Sequence, residues 1–308
     1  MNIKKYLRAD DDTASGLKAL IRECSDIDGY CADIDLDESM NAEKEMNCVF
    51  TCEEGGKLAA LLSVFAPGRE DIEVNALVHP AYRRRGVFKA LIGEVIAECS
   101  RFGYEKGLFV LNEASESGRA VAAHWGCGTD HVELQMERGV DACENLRRED
   151  IEIITARKSD LGELSDLGAA AFSMEKEFER ELLASALAAD NRTEYAVRAG
   201  GRLTALGAAY ETEGKMMIFG LGVHPDERRK GYAKALICHI AGVALRRGMN
   251  KVCLDVDEDN EGAIALYESS GFKRTGSTEY RTFYFDSYGV PQQVVRLDGV
   301  QYGVPNKS

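Results

Sequence analysis

One tryptophan, five prolines and five histidines are spread over 308 residues, and each scarcity narrows what the chain can be. His79, His124, His131, His224 and His239 stand in no ligand spacing with acids or cysteines, so no metal is expected. The nine cysteines are odd in number and fall in no paired metal-type spacing: Cys48 and Cys52 are four apart, and Cys238 adjoins His239. They read as reduced thiols, which predicts a cytoplasmic protein without disulfides. No Gly-x-Ser-x-Gly elbow occurs, which removes the commonest serine-nucleophile signature. No apolar run approaches the length of a membrane span, and Met1 to Tyr6 lacks the apolar stretch of a signal peptide, so no membrane partner is expected. Positive charge is also short. Against 52 acidic residues stand 38 Lys and Arg, for a net charge of −14. Phosphate neutralisation needs a basic surface, which argues against nucleic acid as a partner. The excess is compatible with a cationic acceptor such as an amine, although acidic surfaces chiefly keep proteins in solution.

What the chain does have, it has twice. Val78-His79-Pro80-Ala81-Tyr82-Arg83-Arg84-Arg85-Gly86-Val87-Phe88-Lys89-Ala90-Leu91-Ile92 returns as Val223-His224-Pro225-Asp226-Glu227-Arg228-Arg229-Lys230-Gly231-Tyr232-Ala233-Lys234-Ala235-Leu236-Ile237. The offset is 145 residues for both the histidines and the glycines (224 − 79 and 231 − 86). That period is too long for a solenoid repeat and fits two copies of a whole domain. We expect an N-terminal domain over 1–138, a linker over 139–150 and a C-terminal domain over 151–308. The strand and helix patterns run in the same order in both. Each copy has a first strand, helical segments, a hairpin about a Gly-Gly turn, a central strand, the basic turn, a long helix, another strand, a short helix and a final strand. A closing strand at Gln292 to Leu297 has no counterpart in the first copy. The fold class is α/β, or α+β by some schemes, with a mixed and mostly antiparallel sheet flanked by helices in each copy.

The repeated turn is also a chemical device. A helix N-terminus leaves amide N–H groups without partners, and its dipole favours an anion. Gly231 lets the backbone approach phosphate oxygens, small Ala233 keeps the next turn open, and Arg228, Arg229 and Lys230 add charge. The first copy differs at one telling place, with Phe88 where the second has Ala233. On the central strand, Gly220 and Gly222 suit a bulge and a close backbone approach.

These residues resemble the GNAT N-acetyltransferase superfamily, whose signature is Gln/Arg-x-x-Gly-x-Gly/Ala. Arg228-x-x-Gly231-x-Ala233 matches it fully, and Arg83-x-x-Gly86-x-Phe88 matches all but the last position. Asn260-x-x-Ala263-x-x-Leu266-Tyr267-x-x-x-Gly271-Phe272 is similar to the family's motif on the fourth helix and following strand. The tandem arrangement resembles the mycothiol synthase architecture, with no residue that points to a mycothiol substrate. The resemblance implies acetyl-CoA as donor and a primary amine as acceptor, a small molecule or a peptide, joined by direct attack in a ternary complex. It implies cofactor contacts at Leu221, Gly222, Val223, Arg228, Arg229, Lys230, Gly231, Tyr232, Ala233, Lys234 and Asn260. A second such site would use Val78, Arg83, Arg84, Arg85, Gly86 and Val87. Tyr267 stands where the family places the general acid for the leaving thiolate.

The first copy has Ala122, Cys127 and Ser115 at the places of Tyr267, Phe272 and Asn260, so it is expected to be degenerate. No acid lies on the second central strand. Glu211, Glu213, Asp255 and Asp257 flank it and are expected to be solvated, whereas Glu73 sits on the first copy's central strand. Helices at 159–190 and the loop at 286–291 are expected to shape the acceptor site. The alternative reading is a non-catalytic acyl-CoA-binding sensor. Oligomeric state is not readable.

Overall fold

The computed structural model describes residues 1–30, 34, 36, 40–140, 148–212, 214–287, 293–297 and 300–304. Strand β1 (Asn2–Tyr6) leads to α1 (Asp11–Asp28). The Asp10 carboxylate accepts from the Thr13 amide at 2.8 Å and so caps that helix, with Asp11 and Asp12 in the first turn where the dipole favours negative charge. β2 (Val49–Glu54) and β3 (Lys57–Phe65) form a hairpin, and β4 (Ile72–Val78) returns beside β3. Then follow α2 (Val87–Ser100), β5 (Lys106–Asn112), α3 (Glu116–His124) and β6 (Gly128–Gly139).

The second copy repeats the order. It runs β7 (Ile151–Thr155), α4 (Leu161–Phe172), α5 (Lys176–Ala186), β8 (Arg192–Ala199), β9 (Arg202–Thr212) and β10 (Lys215–Val223). It continues with α6 (Tyr232–Arg246), β11 (Lys251–Asp257), α7 (Glu261–Ser269) and β12 (Lys273–Tyr284). The expected closing strand is β13 (Gln293–Leu297), which pairs antiparallel with β14 (Val300–Val304). Among the described residues no helix is long and apolar enough to cross a membrane.

The chain forms two compact units, and they do not follow the linear division expected from the sequence. Unit 1 is Met1–Val132 with Ser277–Ser308, and unit 2 is Glu133–Gly276. The strand order is β1-β2-β3-β4-β5-β12 in unit 1 and β6-β11-β10-β9-β8-β7 in unit 2. Within each, the β4–β5 and β10–β11 pairs are parallel and the other pairs antiparallel. Each sheet is thus finished by a strand from the other repeat. Thr278–Tyr284 of β12 pair with Asn112–Lys106 of β5, and Glu133–Gly139 of β6 pair with Asp257–Lys251 of β11. The two exchanged strands occupy the same register, 145 residues apart: Phe283 faces Gly107 in unit 1, and Arg138 faces Val252 in unit 2. Most of the expected linker, 141–147, lies outside the described residues.

Unit 1 packs one core, with Leu17, Phe50, Leu61, Leu62, Leu91 and Ile92 buried between the sheet and helices α1 and α2. Unit 2 has two, one on each face of its sheet. Strand β8 shows why: side chains alternate, so Tyr195 and Val197 join Leu236, Ile237 and Ile240 of α6, while Ala196 joins Leu164, Leu167 and Leu183 of α4 and α5. Each fully buried leucine or isoleucine contributes about 1.5–3 kcal/mol. The α4–α5 face and the start of α6 together frame the site.

Candidate functional site

Strand β10 is the centre of the site in unit 2. It pairs with β11 in parallel for three residues only, Lys215–Met217 beside Lys251–Cys253, and the two strands then part company. On its other side the register with β9 slips between Phe219 and Gly222, so the strand carries a bulge. Gly220 sits there at φ 57°, a left-handed backbone that favours glycine. Gly222 has a different reason. A Cβ on it would lie 2.7 Å from Phe172 Cζ and 2.9 Å from Ala171 Cβ, so the end of α4 packs straight onto the strand. Leu221 and Val223 flank this contact, each half-buried.

After Val223 the chain makes a short 3-10 turn, Pro225–Glu227, and then reaches the start of α6. His224 Nδ1 accepts from the Asp226 amide at 3.3 Å. Gly231, at φ 82° and exposed, precedes α6 with no side chain capping it, so the amides of the first turn lack intrahelical partners. The basic residues are not equivalent. Arg228 is a clamp: Nε donates to the Val223 carbonyl at 3.3 Å and Nη2 to the Ala171 carbonyl at 3.1 Å. Lys230 Nζ pairs with Glu227 at 2.8 Å, and Glu227 also takes Arg202 at 2.5 Å. Arg229 adopts φ 67° and its side chain is exposed. Tyr232 turns its ring into the core, Ala233 is half-buried and Lys234 is exposed.

One further arginine comes from outside the motif. Arg148 donates from Nη1 to the Lys230 carbonyl at 2.5 Å, lies 5.1 Å over the Tyr232 ring, and is held by Asp150 at 3.0 and 2.5 Å. It lies in the stretch that the sequence marks as a linker. No local pattern could have revealed a contact 82 residues away.

Tyr267 projects from α7 and is 8 % exposed, with its ring edge-on to Phe272 at 5.8 Å. Burial pushes its hydroxyl up to about 12. Among the described residues that hydroxyl makes no hydrogen bond. Asn260 begins α7, and its side-chain oxygen accepts from the Ala263 amide at 3.1 Å, so that atom caps the helix. Three of the four flanking acids are exposed, as the sequence suggests. Glu211, Asp255 and Asp257 are exposed, Glu211 lies 4.0 Å from Arg247, and Asp257 accepts from the Asp259 amide at 2.8 Å. Glu213 lies outside the described residues.

Two carboxyls escaped the sequence reading. Glu194 on β8 is 7 % exposed and Glu179 on α5 is 5 % exposed. By alternation Glu194 shares the α4–α5 face with Ala196. Burial raises its carboxyl to about 7, with Glu179 adding to the rise and Arg192 opposing it. Burial raises Glu179 as well. The Glu179 carboxylate rests where a Cβ on Gly168 would be, 2.1 Å from its Oε1, so a glycine on α4 makes room for it. Among the described residues neither carboxylate has an ion pair or a side-chain hydrogen bond. The available signal was an acid leading the buried run Tyr195-Ala196-Val197, a pattern that also fits a strand end at the rim.

Unit 1 repeats the framework without the openings. β4 also parts from β5 after three pairs, Ile72–Val74 beside Gly107–Phe109, but its register with β3 runs unbroken from Glu73 to Val78, so the bulge is absent. Arg83 donates from Nε to the Val78 carbonyl at 2.9 Å, as Arg228 does to Val223, but the rest of its guanidinium grips the Asp28 carboxylate. Arg84 is at φ 63° and Gly86 at φ 81°, with Arg84 and Arg85 exposed and Val87 buried. Phe88 packs inward, its ring 5.8 Å from both Phe109 and Trp125. At the three equivalent places unit 2 has Ala233, Leu254 and Ser270.

Comparison with known proteins agrees with this geometry. The Acetyltransferase (GNAT) family profile matches twice, over residues 17–126 and 162–272. A mycothiol acetyltransferase of Clavibacter sepedonicus is 29% identical over 223 residues, covering 68% of this chain and 72% of that protein. The ribosomal protein bS18-alanine N-acetyltransferase of Escherichia coli K12 is 33% identical over 84 residues, 27% of this chain and 55% of that one. Among solved structures, a tandem GNAT protein from the clavulanic acid biosynthesis pathway superposes with a TM-score of 0.72 at 18% identity, covering 92% of this chain and 99% of that chain. A GCN5-related N-acetyltransferase from Sphaerobacter thermophilus gives 0.71 at 20% identity, covering 92% and 96%. With two family matches that together span most of its length, the chain belongs to the GNAT family as a tandem, acetyl-CoA-dependent acetyltransferase.

Proposed function

We propose that unit 2 is the catalytic half and moves an acetyl group from acetyl-CoA to a primary amine by direct attack in a ternary complex. One observation carries the reading. On a single stretch of chain, β10 bulges, parts from β11 and leads into an uncapped helix start. Bound acetyl-CoA supplies the activated thioester. The first-turn amides at Gly231, Tyr232 and Ala233 hold its diphosphate, Arg229 and Lys234 add positive charge, and Arg228 fixes the turn to the strand. Main-chain groups at Leu221, Gly222 and Val223 would hold the acyl arm. One well-placed donor there stabilises a developing oxyanion by about 3 kcal/mol.

Tyr267 acts as a donor to the leaving sulfur. A hydroxyl at about 12 keeps its proton at neutral pH. Complete transfer to a thiolate of ordinary basicity, near 8.5, would run uphill by roughly 5 kcal/mol. Its contribution is therefore a hydrogen bond that strengthens as charge gathers on sulfur. Glu194 is the proton acceptor we favour. Through Ala208 it lies in cross-strand line with Phe219, beside the bulge. Two strand spacings separate it from β10, about 10 Å, so an acceptor proton reaches it through water. A carboxyl near 7 is matched to that task.

The acceptor enters on the α4–α5 face. The relatives named above act on a small molecule and on a protein alanine, and nothing in this face chooses between those two kinds of amine. Residues 288–291 of the loop expected to border it lie outside the described residues. Unit 1 has a structural role in this reading. Its possible second site at Val78, Arg83, Arg84, Arg85, Gly86 and Val87 is blocked beside α2 by Phe88, Phe109 and Trp125. The acidic chain has neither a nucleic acid nor a membrane as partner and works in the cytoplasm.

A second reading, an acyl-CoA sensor without turnover, draws on the absence of any acid on β10. Thiol release from acetyl-CoA with a panel of amines separates the two. The catalytic reading expects turnover on at least one amine and a fall in kcat of about 10²-fold in Tyr267→Phe, with KM for acetyl-CoA little changed. Binding of CoA without turnover on any amine would leave the sensor.

A further inference from the structure

Unit 2 buries two acids beside an apolar core. Leu164, Leu167, Leu183, Ala196 and Leu206 pack between its sheet and helices α4 and α5. Glu179 stands one turn before Leu183 on α5, and Glu194 stands two residues before Ala196 on β8, so both side chains extend that same face. They are 5 % and 7 % exposed. Other acids on these helices are paired, Glu163 with Arg198 at 3.2 Å and Asp166 with Lys176. Among the described residues the side-chain polar atoms both sealed from solvent and unpartnered are Glu54 Oε2, Arg138 Nη2 and Arg192 Nε. The oxygens of Glu179 and Glu194 also lack partners but are not sealed, so each carboxylate still meets solvent. A buried carboxylate without a partner burdens a fold, and space alone is filled as well by glutamine or leucine.

The wall beside Glu194 is aromatic. Phe219 lies in its cross-strand row through Ala208, next to the β10 bulge. The Phe219 ring stands 5.6 Å from that of Tyr210 and receives the Arg192 guanidinium at 5.5 Å. Both rings are half-buried. A wall that already accepts one cation on a ring face suits another. Arg192 opposes Glu194 and, counted in full, leaves the two acids with a surplus of one negative charge. Glu179 is seated deliberately: any Cβ on Gly168 would lie 2.1 Å from its Oε1.

We propose that these acids set the acceptor class: Glu179, with Glu194 beside it, anchors a second positively charged nitrogen on the amine that unit 2 acetylates. The anchor rests on the transfer proposed above and belongs to the same site. Glu194 lies two strand spacings, about 10 Å, from β10, so the anchored nitrogen stands several bonds from the reacting one. A small diamine and the N-terminus of a basic peptide share that chemistry.

The test compares paired acceptors on the full-length protein: 1,6-diaminohexane against hexylamine, and glycyl-lysine amide against glycyl-norleucine amide. Each pair differs by one positive charge, and kcat/KM is read by thiol release from acetyl-CoA. Wild type is expected to prefer the more charged member of at least one pair by tenfold or more, and Glu179→Gln to lose that preference with KM for acetyl-CoA unchanged. The ratio within a pair cancels any effect of Glu179 on the Glu194 carboxyl. The pair with the larger ratio tells a small diamine from a basic peptide. Gly168→Ala, which displaces the Glu179 carboxylate and keeps its charge, is expected to lower the same ratio and serves where Glu179→Gln does not fold. Turnover without preference in either pair, or a preference that Glu179→Gln retains, would overturn the anchor and leave acetyl transfer standing. Absence of turnover on every amine counts against the transfer, and calorimetry on the CoA-saturated protein then decides. Binding of a more charged acceptor that Glu179→Gln weakens at least tenfold keeps the anchor, whereas unchanged binding in the variant, or none in wild type, removes it.

Discussion

Arg83 and Arg228 begin alike and end differently. Each donates from Nε to the carbonyl five residues earlier, at 2.9 Å in unit 1 and 3.3 Å in unit 2. The remaining donors of Arg83 close on the Asp28 carboxylate, whereas among the described residues Arg228 reaches a main-chain carbonyl, that of Ala171. The same divergence recurs around the following helix. Unit 1 fills the neighbourhood with Phe88, Phe109 and Trp125, while unit 2 leaves Ala233, Leu254 and Ser270. Unit 1 keeps its central strand in register and unit 2 lets it bulge. The lesson is that the motif builds a turn, and the surroundings decide what the turn can hold. The signature arginine serves in both units as a strut between strand end and turn, so its presence alone says little about ligand binding.

The largest expected effect comes from cutting the comparison in two. A fragment of residues 1–138 lacks β12, and with it buried Tyr280 and Phe283. A fragment of 151–308 lacks β6, and with it buried Met136 and Arg138. Each would leave the edge of β5 or β11 without its native partner along seven paired residues, with only the fragment's own final strand, β6 or β12, to take that place. Neither fragment is expected to show a cooperative thermal transition alone, and mixing the two is expected to restore one. A 151–308 fragment that melts cooperatively and is stabilised by acetyl-CoA would show that its own β12 can stand in for β6.

That exchange also marks the limit of what the sequence discloses. The repeat, the element order and the turn are local patterns, and residues such as Gly86 and Gly231 announce them. The glycines of β10 were legible as a bulge and a close approach, though not which did which. Gly220 carries the left-handed backbone and Gly222 admits α4. Strand pairing is different in kind. The edges of β5 and β11 accept either final strand by pattern, because β6 and β12 alternate alike, and only three-dimensional packing selects the partner. Glu194 and Arg148 stayed hidden for the same reason. Burial of an acid and a contact across 82 residues are products of the fold.

The second prediction transplants one residue of unit 1 into unit 2. Ala233→Phe places a ring where Phe88 sits, next to Leu254 and Ser270 instead of Phe109 and Trp125. With no aromatic partners to receive it, the ring is expected to lie across the start of α6. KM for acetyl-CoA should rise by about 10²-fold or binding be lost, with a stability cost of about 1–3 kcal/mol from overpacking. The reciprocal Phe88→Ala should leave KM unchanged. If Phe88→Ala instead adds a second CoA equivalent in calorimetry, unit 1 is a blocked binding site and not merely a structural one.

Glu194 offers a pH test that unit 1 does not share. Its folded carboxyl, at about 7, holds a proton more tightly than the unfolded carboxyl near 4.5. The folded state therefore binds more protons between those values. The contribution of Glu194 to stability is fullest below about pH 4.5 and is lost as pH rises through 7, by up to about 3 kcal/mol. Glu194→Gln removes the charge that burial disfavours. The variant should melt higher than wild type at pH 8 and no higher at pH 4.5. Its kcat should fall while KM for acetyl-CoA holds, and the wild-type rise of kcat through neutral pH should disappear. A variant with full activity and an intact pH profile would remove Glu194 from the proton path and return attention to the solvated acids.

The smallest effect bears on the strut itself. Asp28→Ala leaves the Arg83 guanidinium half-buried with, among the described residues, the Val78 carbonyl as its partner, and loses a charge-assisted pair whose carboxylate side is 14% exposed. The expected cost is about 1–2 kcal/mol, because a partly buried charge loses its partner while some water can replace it. KM for acetyl-CoA should not move, since unit 2 has Ser173 at the equivalent place and its turn is held by main-chain carbonyls. Thermal unfolding reads the first quantity and initial-rate kinetics the second. A loss of stability with unchanged KM keeps the two turns distinct in role. A rise in KM from this substitution would mean that the turn in unit 1 contributes to the donor site, and the division between a structural and a catalytic unit would have to be redrawn.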